Sequence, residues 1–89
     1  MKQLTWNLLK SARLRKVRGV SFEEIINSKL IAVKKHPSRE GQNIMLFEHK
    51  RYIWVVPYVE DEDTIFLKTL YPNRKYTKLY KEGKLNEKD

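Results

Sequence analysis

The spacing of apolar residues changes several times along this chain, and each change marks an element. Residues 8 to 18 are good helix formers without proline or glycine. Asn7 and Gly19 stand where an N-cap and a left-handed stop belong, so a helix is predicted between them. Its apolar positions, Leu8, Leu9, Ala12, Leu14 and Val17, form a broad stripe, which turns Arg13 and Lys16 outward. Ser21, Phe22, Glu23 and Glu24 read as a capping box, and a second helix runs to about Asn27 with Phe22, Ile25 and Ile26 inward.

After that the period drops to two. Strands are expected over 30–33 and 43–47, and also over 52–59, which is apolar on both faces and reads as a central strand. A short strand at 2–6 precedes the helices. Residues 37–41 form a polar, mobile loop, and His49, Lys50 and Arg51 make a hairpin without the usual turn residues. Pro57 places the far end of the central strand at an edge or bulge. From 65 the alternation puts Ile65, Leu67 and Thr69 on one face and Phe66, Lys68 and Leu70 on the other. Tyr71, Pro72 and Asn73 break that strand, and a basic helix over 74–80 follows with Pro72 in its first turn. The order predicts an α+β domain: an N-terminal strand and two helices, an antiparallel sheet of about four strands, and a short C-terminal helix. Residues 1–82 make this single domain, and 83–89 a charged tail that frays.

Composition narrows the function. The 89 residues carry a net charge of +8 and no cysteine, so a disulfide framework, a thiolate metal site and a cysteine nucleophile are excluded. No apolar run approaches a membrane span and the N-terminus lacks a signal-like apolar stretch, so a cytoplasmic protein with no membrane contact is expected. The cations cluster: Lys10, Arg13, Arg15, Lys16 and Arg18 precede any acidic residue, and Arg74, Lys75, Lys78, Lys81 and Lys84 form a second group. Two such patches imply a polyanion or an acidic protein as partner. In the second patch the cations alternate with Tyr76 and Tyr80, which suits phosphates flanked by stacked bases. The acidic run at 60–63 reads as a solvated turn that guards a sheet edge.

Several short pieces resemble the BrnT-like toxins of bacterial type II toxin–antitoxin systems. They are Trp6, Lys10, the run from Arg18 through Gly19, Val20, Ser21, Phe22 and Glu23 to Glu24, then His36 with Pro37, Gln42, Val56 with Pro57 and Tyr58, and IFLKTLYPNRK from Ile65. The resemblance spans roughly residues 6 to 80. It implies a RelE-like ribonuclease fold that cuts RNA without a metal or other cofactor. It also implies a cognate antitoxin with a ribbon-helix-helix part, operator DNA being met only through that complex. By motif, Arg74 and Lys75 match the basic pair that opens the last helix, and Tyr80 the aromatic that closes it. The chain departs from the family pattern at Arg13, Leu14 and Val17, and in the acidic turn.

Metal-free RNA cleavage needs a deprotonated 2′-hydroxyl, a stabilised phosphorane and a protonated leaving oxygen. Arg74 is the candidate clamp on the scissile phosphate, its fork matching two oxygens. Lys68 is a candidate for charge stabilisation or proton donation, and Tyr80 or Tyr76 for stacking or ordering the attacking group. Histidine is the side-chain type suited to proton transfer near neutral pH; the chain has His36 and His49, and His36 joins the catalytic set. Lys75, Lys78, Tyr76, Arg13, Lys16 and Arg18 are the expected nucleic-acid contacts. Each has a plainer role open to it: Lys68 as a snorkelling strand residue, the tyrosines as packing four apart on one helical face, His49 as a solvated turn residue, Trp6 and Trp54 as core. Beside an endoribonuclease toxin stand two alternatives. One is a non-catalytic RNA- or DNA-binding module. The other is a protein-interaction subunit, which requires an exposed apolar patch beside the charges.

Overall fold

The computed structural model describes residues 2–85. Its elements follow the chain as β1 (Gln3–Thr5), α1 (Leu8–Arg18), α2 (Phe22–Ile26), β2 (Lys29–Lys35), β3 (Asn43–His49), β4 (Tyr52–Glu60), β5 (Thr64–Leu67), β6 (Tyr71–Pro72) and α3 (Arg74–Lys81). The strands make one sheet in the order β1-β5-β4-β3-β2, with β6 also on β4. The predicted α+β architecture is present. The sheet is mixed, because β1 returns to lie parallel to β5, while every other pair is antiparallel.

Strand β4 is the centre. Ile53 to Tyr58 are buried without interruption, because helices cover both faces of the strand. Phe47, Trp54, Val56, Tyr58, Leu67 and Leu70 meet Leu14 of α1 and Phe22 and Ile25 of α2 on one face. The alternate residues Ile44, Leu46, Ile53 and Val55 meet Tyr76 and Tyr80 of α3 on the other. The α2 capping box forms as predicted: Ser21 Oγ accepts from Glu24 N–H, and Glu24 Oε1 from Ser21 N–H. Asn7 caps α1, and Gly19 ends it at φ 81°, a left-handed angle that a Cβ disfavours.

Several expectations change. The α1 stripe does not face the core: Leu8, Leu9 and Val17 are 71%, 84% and 71% exposed, and only Ser11 and Leu14 are buried. Pro57 sits at neither an edge nor a bulge but inside β4, opposite Ile44 of β3. Its carbonyl accepts from Lys68 N–H at 2.8 Å, so its ring nitrogen faces the same way and leaves the return bond unmade. The ladder to β5 therefore stops at Leu67. The chain bends, and Leu70 joins Leu67 in the same core cluster instead of pointing away from it. Tyr71 and Pro72 then re-pair with β4 rather than ending the strand, and Pro72 lies ahead of α3, whose N-cap is Asn73. Because Asn73 N–H bonds to Ile53 O, Pro72 is a non-bonded position on β4 and its missing donor is not needed there.

The β3–β4 hairpin turns on Lys50 and Arg51, with φ of 52° and 68°. Both are left-handed, as a two-residue type I′ turn requires, and each costs about 1–2 kcal/mol in a residue with a Cβ. His49 is not a solvated turn residue: it ends β3 with its ring edge-on to Trp54 at 6.5 Å and its Nε2 buried. Trp54 is core, while Trp6 is half-buried and donates Nε1–H to Glu23 Oε2. Of the predicted tail, Gly83 and Lys84 hydrogen-bond back to α3 through Tyr80 O and Leu79 O, and residues 86–89 lie outside the described residues.

Candidate nucleic-acid interface

The gap that Pro57 opens between β5 and β6 is one wall of a groove of about 370 Å³. Lys68, Thr69 and Tyr71 line it from the bent segment, Lys10 from α1, and His36, Ser38, Arg39 and Gln42 from the β2–β3 loop. Among the described residues no ion pair engages Lys10, Arg39 or Lys68. The groove has no carboxylate in its lining; Glu40 lines a neighbouring hollow formed by the loop itself. Three cations around an uncompensated concavity raise the local concentration of anions.

The loop's own hydrogen bonds fix His36. Its Nδ1 accepts from Ser38 N–H at 3.1 Å and from Arg39 N–H at 3.2 Å. With Nδ1 serving as acceptor, the neutral ring carries its proton on Nε2 and acts as a hydrogen-bond donor through that nitrogen. His36 N–H in turn bonds to Gln42 O, which closes the loop at its base.

Of the residues singled out in the sequence, Lys68 and His36 therefore meet in one groove. Arg74 and Tyr80 do not line it. Arg74 and Lys78 line a second groove, of about 430 Å³, with Tyr52, Thr77, Lys81 and Glu82. The first groove touches β4 at Pro57 and the second at Tyr52. These positions are five residue steps apart, about 16 Å of strand. Tyr80 donates its hydroxyl to Glu48 Oε1 at 3.0 Å, and Tyr76 packs beside it, its hydroxyl pKa raised by burial and by nearby Tyr71. Lys75 is exposed on α3, and Arg13 and Lys16 are exposed on α1. Arg18 instead donates to the carbonyl of Leu70 and holds α1 against the bend.

Sequence reasoning missed Arg39 and Tyr71 as groove residues and gave Lys10 no site. Lys10 was visible as part of the basic cluster. Arg39 lies in a loop with no periodicity, so only the fold brings it opposite Lys68. The acidic turn at 60–63 is self-contained. Asp61 Oδ1 accepts from Asp63 N–H, Thr64 N–H and the Thr64 hydroxyl, and these bonds hold its pKa below the usual range; Lys2 pairs Glu60 at 2.8 Å. Among the described residues no helix is long and apolar enough to cross a membrane.

No family model matches this chain, and no curated protein does. Among solved structures it matches the ribonuclease toxin BrnT of Brucella abortus with a TM-score of 0.54 and 12% identity, over 82% of this chain and 97% of that one. The chain thus has a BrnT-like fold, as its short sequence motifs implied.

Proposed function

We propose that this protein is a toxin-type endoribonuclease that engages the RNA backbone in the groove between Lys10, His36, Arg39 and Lys68. The observation that carries the reading is the meeting of these four side chains around one carboxylate-free groove, in a chain folded like a ribonuclease toxin. Arg39 presents a planar fork to two phosphate oxygens, and Lys10 and Lys68 are point charges beside it. Cations fixed in place stabilise the charge that grows on a phosphorane more than they stabilise the diester. His36 Nε2–H adds a neutral donor, and Tyr71 offers a ring to a neighbouring base. No metal or other cofactor enters this scheme. Arg74, the candidate phosphate clamp of the sequence, serves here as a backbone contact at a distance.

The partner in this reading is an antitoxin seated on α1. There Leu8, Leu9 and Val17 are exposed among Lys10, Arg13, Arg15 and Lys16, which suits an acidic segment with apolar side chains. Operator DNA is met through that complex, and the setting is the cytoplasm. A second reading, a module that binds RNA without cutting it, is favoured by one observation: the groove has no carboxylate, and His36 Nδ1 is already engaged, so neither supplies a base.

Induced expression in a bacterium separates the two. Wild type is expected to arrest growth and degrade RNA, and Lys68→Ala to slow cleavage by about 10²-fold, the loss seen when one preorganised charge-stabilising donor is removed. Normal growth and intact RNA with folded wild-type protein would overturn the ribonuclease and move the reading to the binding module.

A further inference from the structure

The second groove, at the other end of β4, carries a charge pattern that the fold alone does not call for. Arg74, Lys78 and Lys81 fall on one stripe of α3, at spacings of four and three, where like charges repel. Arg74 and Lys75 also occupy the first turn of the helix, whose partial positive charge disfavours cations, and no acidic residue offsets them there. The stripe faces Tyr52 across the groove. Tyr52 follows directly on Lys50 and Arg51, so the backbone of the left-handed hairpin tip adjoins this groove. Asparagine and glycine would make that turn without strain. Glu82 is the one carboxylate lining this groove, and it is shared with Lys84 at 3.8 Å. Two independent local penalties, one in the helix that lines the groove and one in the turn next to Tyr52, thus both fall on cationic positions.

We infer that the groove between α3 and the β3–β4 hairpin tip is a second single-stranded RNA site. It grips the sugar–phosphate backbone about 16 Å along β4 from the first groove. The inference rests on the reading of the protein as RNA-directed and adds a length requirement: a strand must be several nucleotides long to fill both grooves. Binding at two linked sites raises affinity through effective concentration, by roughly 10² or more over either site alone.

The test is fluorescence anisotropy with a uridine trinucleotide and with a uridine oligomer long enough to reach both grooves, across a salt series. Wild type should bind the oligomer at least ~10²-fold more tightly than the trinucleotide. In Lys78→Gln with Lys81→Gln, both positions exposed, most of that length advantage should vanish. The salt slope for the oligomer should fall by about 1.4, or ~0.7 for each lost phosphate contact. Lys50→Asn with Arg51→Gly should weaken oligomer binding while raising the melting temperature, which excludes misfolding as the cause. An unchanged length advantage and slope in both double variants would overturn the second site. Equal or tighter binding of the oligomer's competitor poly-glutamate, lost in the same variants, would overturn it in favour of an acidic protein. Failure of wild type to bind either RNA would remove the RNA-directed reading itself, a different result from a length effect that survives substitution.

Discussion

Helices α1 and α2 lie next to each other on one face of the sheet and use their residues in opposite ways. The five residues of α2 bury Phe22 and Ile25 completely and are capped at the N-terminus by a reciprocal box. The eleven residues of α1 bury only Ser11 and Leu14 and leave Leu8, Leu9 and Val17 in solvent. The short helix is a piece of core. The long one is a platform for cations, held down by polar contacts at a few points. Ser11 is the main one: its Oγ accepts from Phe22 N–H at 3.0 Å and donates to Glu23 Oε1 at 2.5 Å, and Glu23 Oε2 accepts from Trp6. Burial in this pair follows what each side chain can reach, not how apolar it is.

Substitutions at three positions test that contrast in descending order of effect. Phe22→Ala in α2 is expected to destabilise by about 3–5 kcal/mol, a large share of a small domain's total, read as a lower denaturation midpoint. Ser11→Ala should follow at about 1–3 kcal/mol, because it strands the buried Phe22 N–H. It should also change the response to acid. The Ser11 hydroxyl is the largest of the hydrogen bonds that hold the Glu23 pKa below its ordinary 4.5, ahead of Glu23's own backbone N–H and Trp6. A lowered folded pKa gives stability that is complete above the unfolded value and disappears as pH falls through the folded one. Wild type should therefore lose stability below about pH 4.5 more steeply than Ser11→Ala, and an identical acid limb in the two proteins would break the argument. Leu9→Gln, at the outermost apolar position of α1, should leave stability within about 0.5 kcal/mol. A larger loss would mean that the α1 stripe is buried after all.

Much of the backbone was legible. Asn7, Gly19 and the pairing of Ser21 with Glu24 mark their helix ends because caps are local: a side chain and a backbone group a few residues apart decide them. The doubly apolar run from Ile53 to Tyr58 announced a central strand for the same kind of reason, since no other position needs both faces dry. Proline was less informative. Pro57 and Pro72 each lack one donor, but whether that matters depends on which neighbour the nitrogen faces, and neighbours belong to the sheet. The candidate site was legible as a charge inventory and only partly as a place. Lys68 and His36, which their chemistry singles out in the sequence, share a groove. Arg74 and Tyr80 belong to the same stretch of chain as Lys68, and the turn into α3 carries them to the opposite end of β4.

The sequence by itself determined the order of elements, the capping of the helices, the central strand and a surplus of positive charge that calls for an anionic partner. Each rests on interactions between residues close in the chain, or on a sum over all of them. Only the tertiary structure decided which helix face is buried, where the β5 ladder ends, and which cations stand together. Those depend on contacts between residues tens of positions apart, such as Lys10, Arg39 and Lys68, whose separations are set by the sheet's strand order and appear in no local pattern.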